Sequence, residues 1–180
     1  MPFCDAYISE RALSPSAERE LLGRITDLLL EHEGVDPTNE MGRRLAWVFV
    51  NRHEMYVGGE PAQAPHYRFV CHVPEGQYND ERRAAVIAAM TKAVVDAEDG
   101  SWPHPELRVV VFTNEIKDGT LGGAGRILRL PDIYELFLAG GESREAAERV
   151  LAARRRGEDW VVGGIDDVGV PSASSDRAPA

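Results

Sequence analysis

Val48-Phe49-Val50-Asn51-Arg52 returns in the second half of the chain as Val111-Phe112-Thr113-Asn114-Glu115. Both copies carry the β-branched and aromatic residues that suit a pleated, half-buried strand. A diglycine follows each, Gly58-Gly59 and Gly122-Gly123. A helical pattern precedes each: Leu21, Leu22, Ile25, Leu28 and Leu29 in the first half, and Val86, Ile87, Met90 and Val94 in the second. One constant offset carries Leu22 onto Ile87 and Ile25 onto Met90. A chain that repeats itself at such a period is built from two copies of one unit.

The unit boundaries follow from local chemistry. Ser14-Pro15 reads as a cap with proline in the first turn, where its missing N–H is no loss. Asn79-Asp80-Glu81 reads as a cap with acids at the positive helix end. A short apolar segment stands before each helix, Phe3 to Ile8 and Tyr67 to Val73. Each unit is thus strand, helix, strand, hairpin, over residues 2–60 and 66–127. The linker Glu60-Pro61-Ala62-Gln63-Ala64-Pro65 holds prolines that disfavour helix and ladder alike.

A strand–helix–parallel strand crossover is right-handed. Two such β-α-β units side by side predict an α/β fold, a four-stranded sheet with two helices on one face. The open face is expected to be apolar. Tyr67, Phe69 and Cys71 alternate there with Arg68, Val70 and His72, and Trp47, Phe49, Val109, Val111 and Thr113 add to it. Self-association is the plain way to cover such a face.

The chain has 180 residues, which bounds it to one domain or two small ones. We expect a domain over 1–139, a helical extension over 140–169 and a disordered tail over 170–180. In the extension, Ser143 to Arg156 reads as a helix, with Trp160-Val161-Val162 as a strand or anchor. The formal net charge of -10 argues against nucleic-acid binding as the main role. No apolar run approaches a membrane span, and no secretory signal opens the chain. The two cysteines, Cys4 and Cys71, make neither a disulfide framework nor a zinc site. A cytoplasmic protein is expected.

Pro2 is the residue with the most distinctive chemistry. Removal of Met1 ahead of so small a side chain would leave it as a free secondary amine at the start of a strand. Such a nitrogen can act as base, acid or nucleophile, and an apolar pocket lowers its pKa toward neutrality. A chance Met-Pro start is the alternative.

Pro2 opening a duplicated strand–helix–strand unit resembles the tautomerase superfamily, which includes 4-oxalocrotonate tautomerase and the macrophage migration inhibitory factor group. The likeness is to the fused-repeat branch typified by cis-3-chloroacrylic acid dehalogenase. It rests on Tyr7-Ile8-Ser9, Leu13-Ser14-Pro15-Ser16-Ala17, Ile25-Thr26-Asp27, Glu75-Gly76, Asn114-Glu115-Ile116 and Gly125-Arg126-Ile127-Leu128. It covers roughly residues 2 to 135. The resemblance implies a catalytic amino-terminal proline, a homotrimer with sheets facing inward, and no cofactor or metal.

The chain also departs from that branch. There a His-Arg-Glu-Gly-Arg stretch follows the third strand, and its arginines hold the substrate carboxylate. Here the stretch is Val73-Pro74-Glu75-Gly76-Gln77, with Pro74 and Gln77 at the arginine positions. Leu29 stands where the branch has a histidine, and Glu115 matches its water-activating glutamate.

The candidates are therefore Pro2, Glu115 and Arg52 as catalytic groups, with Arg126, His72, Gln77, Tyr7 and Asn114 as substrate contacts. Arg52 and Glu115 occupy matching positions in the two repeats with opposite charge, and arginine suits bidentate carboxylate binding. Arg52 also reads as an ordinary exposed arginine beside a hairpin, and His72, Tyr7 and Asn51 as sheet packing and turn residues. Gly122-Gly123-Ala124-Gly125 lacks the Lys-Ser/Thr of a phosphate-binding loop and reads as a hairpin.

The expected activity is tautomerisation or isomerisation of a small unsaturated or 2-oxo acid, a carboxylate or carbonyl compound. Alternatives are hydration or dehalogenation of an activated alkene through Pro2 and Glu115, iminium formation at Pro2, and non-catalytic binding on the same scaffold.

Overall fold

The computed structural model describes residues 2–137 and 141–158 of the chain. The two long helices begin at the residues that can cap them. Ser14 Oγ accepts from Ala17 N ahead of α1 (Pro15–His32). Asn79 Oδ1 accepts from Arg82 N ahead of α3 (Asp80–Glu98). A short helix, α2 (Glu40–Leu45), which the apolar pattern does not reveal, is capped by Asn39.

The main sheet holds β1 (Phe3–Ser9), β2 (Trp47–His53), β5 (Tyr67–Pro74) and β6 (Val109–Ile116) in the order β2-β1-β5-β6. β1 and β2 are parallel, β5 and β6 are parallel, and β1 meets β5 antiparallel at the centre. This is the duplicated layout expected from the sequence. The core lies between this sheet and the two helices, with Cys4, Ala6, Ile8, Tyr67, Phe69, Cys71 and Val73 under Leu21, Ile25, Leu29, Val86, Met90 and Val94. Burying each such large apolar side chain contributes roughly 1.5–3 kcal/mol. Ile87, counted on the buried stripe of α3, is 38% exposed, because Ala93 with Val86, Met90 and Val94 forms that face.

The expected composition of the open face needs correction. Tyr67, Phe69 and Cys71 point to the helices, and register aligns them with Val109, Val111 and Thr113. Paired residues share a face, so Val109 and Val111 pack on the core. The open face instead carries Val110 and Phe112 beside Arg68, Val70 and His72, together with the expected Trp47 and Phe49. Trp47, Phe49, Val110 and Phe112 are each about half exposed. The Arg68 guanidinium sits over the Tyr7 and Phe112 rings, 5.0 and 5.2 Å from their centroids.

A hairpin follows the second strand of each repeat. β3 (Tyr56–Val57) and β4 (Glu60–Pro61) turn at Gly58-Gly59, both with positive φ. Pro61 therefore joins a ladder after all, in a short edge pair where its missing N–H is tolerated. β7 (Leu121–Gly123) and β8 (Arg126–Leu128) turn at Ala124-Gly125, so Gly122-Gly123 lies in the strand rather than at the bend.

Helices α4 (Leu130–Phe137) and α5 (Gly141–Arg155) complete the described chain. Leu130, Tyr134, Ala147, Val150 and Leu151 form their shared cluster. It docks on the loop after β5. Gly76 there has φ +93, and a Cβ would lie 2.8 Å from Val150 Cγ1, so only glycine fits both the backbone and the contact. The expected Trp160-Val161-Val162 element and the tail from 170 lie outside the described residues. No helix among the described residues is long and apolar enough to cross a membrane.

Candidate functional site

Pro2 is buried at the start of β1, and its carbonyl accepts from Trp47 N at 3.2 Å. The register carries the surroundings with it. Phe3 faces His72 on β5, and the next β5 residue, Val73, pairs with Glu115 on β6. The end of the sheet that holds Pro2 thus also holds the ends of β5 and β6 and the loop 75–79.

The last turn of α1 brings a carboxylate to this core. Glu33 is the helix C-cap and only 2% exposed. Burial pushes its carboxyl above the ordinary range. Tyr78 is fully buried, and its Oη has no hydrogen-bond partner among the described residues. Burial first, then the charge of Glu33, drives its pKa up. Burial likewise raises Tyr134, whose Oη donates to Gln77 Oε1 at 3.2 Å, with the Glu33 charge again contributing. Both phenols stay protonated at neutral pH and can donate. Arg82 pulls both back, and its Nη1 donates to Gln77 O at 3.0 Å. Gln77 joins Tyr134 and Arg82, accepting from one at its side chain and from the other at its backbone carbonyl.

Glu115 is heavily engaged. Its Oε1 accepts from Gly76 N at 2.9 Å, Tyr78 N at 3.2 Å and Arg154 Nη2 at 3.4 Å, and its Oε2 accepts from Arg83 Nη2 at 3.0 Å. Arg154 also donates to Tyr78 O. The carboxylate therefore ties β6 to the loop, to α3 and to α5.

The remaining candidates separate. Gln77 is buried against Tyr134, at the Pro2 end. His72 and Asn114 pair in register at that end but face the open side of the sheet, where His72 Nε2 lies 3.4 Å from Asp5 Oδ2. Arg126 is exposed on β8, the strand that ends at Leu128, which clusters with Ile133, Phe3 and Leu45. Tyr7 lies on the open face beneath Arg68. Arg52 pairs with Ile8, far along β1 from Pro2 and roughly 20 Å away at strand rise. Its guanidinium holds Glu18 bidentately at 2.8 and 2.6 Å. It lines a cleft of about 490 Å³ with Ser9, His53, Met55 and Trp102. Cys4 is buried, and its hydrogen bond with Cys71 together with burial drives its thiol pKa up, the opposite of a nucleophile's environment. No group of three or more His, Cys, Asp or Glu side chains that could hold a metal occurs among the described residues.

Sequence reasoning missed Glu33, Tyr78, Tyr134, Arg83 and Arg154. A signal for two of them was present. The offset that carries Leu22 onto Ile87 also carries Glu33 onto Glu98 and Glu18 onto Arg83.

No family model and no curated protein matches this sequence. Solved structures do match by fold. Pt0534 inactivated by 2-oxo-3-pentynoate aligns with 24% identity and a TM-score of 0.55, over 69% of this chain and 94% of that one. Native fused 4-OT aligns with 17% identity and a TM-score of 0.56, over 69% and 94%. Macrophage migration inhibitory factor of Toxoplasma gondii aligns with 14% identity and a TM-score of 0.54, over 70% and 99%. The fold is that of the tautomerases.

Proposed function

We propose that this protein is a tautomerase or isomerase of a small unsaturated or 2-oxo acid, with Pro2 as its acid/base group after Met1 is removed. The observation that carries the proposal is the placement of Pro2, buried at the start of β1 on the fold whose solved examples include fused 4-OT. As a neutral amine, Pro2 takes a proton from one substrate atom and returns it at another. The enolate that forms between the two steps needs hydrogen-bond donors. Tyr78 Oη is a buried donor available for that task among the described residues, and Arg126 on the neighbouring hairpin supplies a cation. Arg52 is too far along β1 to serve the Pro2 of its own chain, so in this proposal it acts only on a neighbouring copy. Glu115 is a second acid/base group only if its loop contacts loosen.

A homotrimer is part of the proposal. The exposed Trp47, Phe49, Val110 and Phe112 on the open sheet face support it, and one fold relative is described as a symmetric trimer of wild-type fused 4-OT. A stable monomer in sedimentation would remove this part.

The test is ketonisation of phenylenolpyruvate and 2-hydroxymuconate by wild type and Pro2→Ala. We expect the variant to lose at least a hundredfold in kcat/KM, since general acid–base catalysis contributes about 10²–10⁴. Equal rates would refute the proposal. A second reading, a non-catalytic binding protein on the same scaffold, is favoured by one observation. The loop where the dehalogenase branch carries arginines is here clamped by Glu115 and covered by α4 and α5. Absence of turnover in both proteins would support that reading.

A further inference from the structure

The repeat gives the sheet two matching ends, and α4 and α5 cover one of them. The helix offset that carries Leu22 onto Ile87 also carries Arg11 onto Gly76. Both stand in a turn with positive φ, +58 at Arg11 and +93 at Gly76. Leu130 and Val150 close over Gly76 and leave no room there for a Cβ. The turn at Arg11 instead borders the open cleft of about 490 Å³ across the ends of β1 and β2. A non-glycine residue is uncommon at such a φ, and residues held that way cluster at ligand clamps. The strand offset that carries Val48 onto Val111 carries Arg52 onto Glu115. Glu115 is sealed against the Gly76 and Tyr78 backbone, whereas Arg52 lines the cleft.

The cleft presents groups that lack partners. His53 lines it, and its Nδ1 is buried with no hydrogen-bond partner among the described residues. Arg11, Glu10 and Glu54 line it as well, and none of the three has an ion pair or side-chain hydrogen bond among the described residues. Arg52 Nη1 and Nη2 each donate to Glu18, which fixes the guanidinium and leaves it donors to spare. Met55 and Trp102 supply apolar wall, each more than a third exposed. A volume of this size suits a small organic ligand.

We propose that this cleft binds a free α-amino acid with an apolar side chain. Arginines and glutamates line it together, so a plain anion would face two carboxylates and a plain cation two guanidinium groups. A zwitterion meets both signs. Its carboxylate is held by Arg11 and Arg52, in the manner that suits a guanidinium. Its ammonium is held by Glu10 and Glu54, with His53 Nδ1 as a further acceptor, and its side chain lies against Met55 and Trp102. The site binds without turnover. The helix offset carries Pro2 onto Tyr67, whose nitrogen is an amide and cannot act as a base. The site is also independent of the Pro2 chemistry, because Arg52 lies roughly 20 Å from Pro2 along β1.

The test titrates the full chain with L-phenylalanine, 3-phenylpropionate and phenethylamine. Heat of binding is read by calorimetry, and the Trp102 indole N–H by NMR, assigned through its loss in Trp102→Phe. We expect L-phenylalanine to saturate with a dissociation constant of about 1 mM or below and to shift the Trp102 signal. The two analogues, each lacking one charge, should bind at least tenfold more weakly. Arg11→Gly keeps a residue suited to φ +58, so the turn stays formed. Arg11→Gly and Glu54→Gln should each weaken L-phenylalanine at least tenfold. Pro2→Ala should bind as wild type does, whatever its effect on ketonisation. Absence of saturation, equal binding of 3-phenylpropionate, or full affinity in Arg11→Gly would each overturn the proposal. Loss of binding in Pro2→Ala would place the ligand at a Pro2 site and overturn it too.

Discussion

The two repeats place ion pairs at the same points and use them differently. In the first, Glu18 on α1 meets Arg52 at the end of β2. In the second, at the matching helix and strand positions, Arg83 on α3 meets Glu115 at the end of β6. The polarity is reversed. Only the second version places its carboxylate on the strand, and there Glu115 also accepts from the Gly76 and Tyr78 backbone. At the opposite helix ends, Glu98 is held by the Arg108 guanidinium, while burial raises the Glu33 carboxyl above its ordinary range. Duplication supplied one scaffold twice. Each half keeps a buried glutamate at the C-terminal end of its long helix and an ion pair near the other end.

The largest effect should come from breaking the buried bridge. Glu98→Gln leaves Arg108 without its charge partner at 8% side-chain exposure. Removing one partner of a buried pair costs about 3–5 kcal/mol, so the urea midpoint should fall steeply. Glu33→Gln should behave in the opposite sense. Burial raises the folded-state pKa of Glu33 above 4.5, so the folded protein binds more protons than the unfolded one above that pH. Stability from this group is therefore lost as pH rises from about 4.5 through the folded value. Glu33→Gln should remove that slope and gain on wild type as pH climbs through this window. Parallel pH–stability curves for the two would break the contrast.

Glu115→Ala comes next. It removes the acceptor of two backbone N–H groups and two guanidinium contacts, and orphaned buried donors cost about 1–3 kcal/mol. Hydrogen exchange should quicken at Gly76 and Tyr78 and along α5, because Arg154 bridges that helix to the loop. Exchange unchanged on α5 would show that Leu130 and Val150 alone hold the extension.

The fold was legible because the helix pattern and the strand motif both recur in the second half at nearly the same offset, and Ser14 and Asn79 cap where short polar side chains can. Pro2 was legible because its chemistry depends on chain position alone. The face of Val109 and Val111 was not, since a strand's alternation gives two faces but not which one meets the helices. That is fixed by pairing with Tyr67 and Phe69. Glu33 escaped because a glutamate at a helix end ordinarily reads as a solvated residue, and its burial is set by tertiary packing that periodicity does not carry. Arg154 lies beyond the repeat, where no internal copy guides the reading.

The smallest effects belong to the exposed pair. Arg52 is 41% and Glu18 21% exposed at the side chain, and such pairs contribute about 0–1 kcal/mol. Arg52→Ala should therefore change the urea midpoint little at neutral pH. Because Arg52 holds the Glu18 carboxyl below its ordinary range, its contribution is present above pH 4.5 and fades as pH falls through the lower folded value. The exchange Glu18→Arg with Arg52→Glu should be nearly neutral, within about 1 kcal/mol, because that pair asks only for opposite charges. The same exchange at Arg83 and Glu115 should cost several times more. An arginine at 115 cannot accept from Gly76 or Tyr78, so those two N–H groups would stay unpaired even with the ion pair rebuilt. Equal costs for the two exchanges would mean that the backbone contacts of Glu115 add nothing to its ion pair, and that the repeats differ in sign alone.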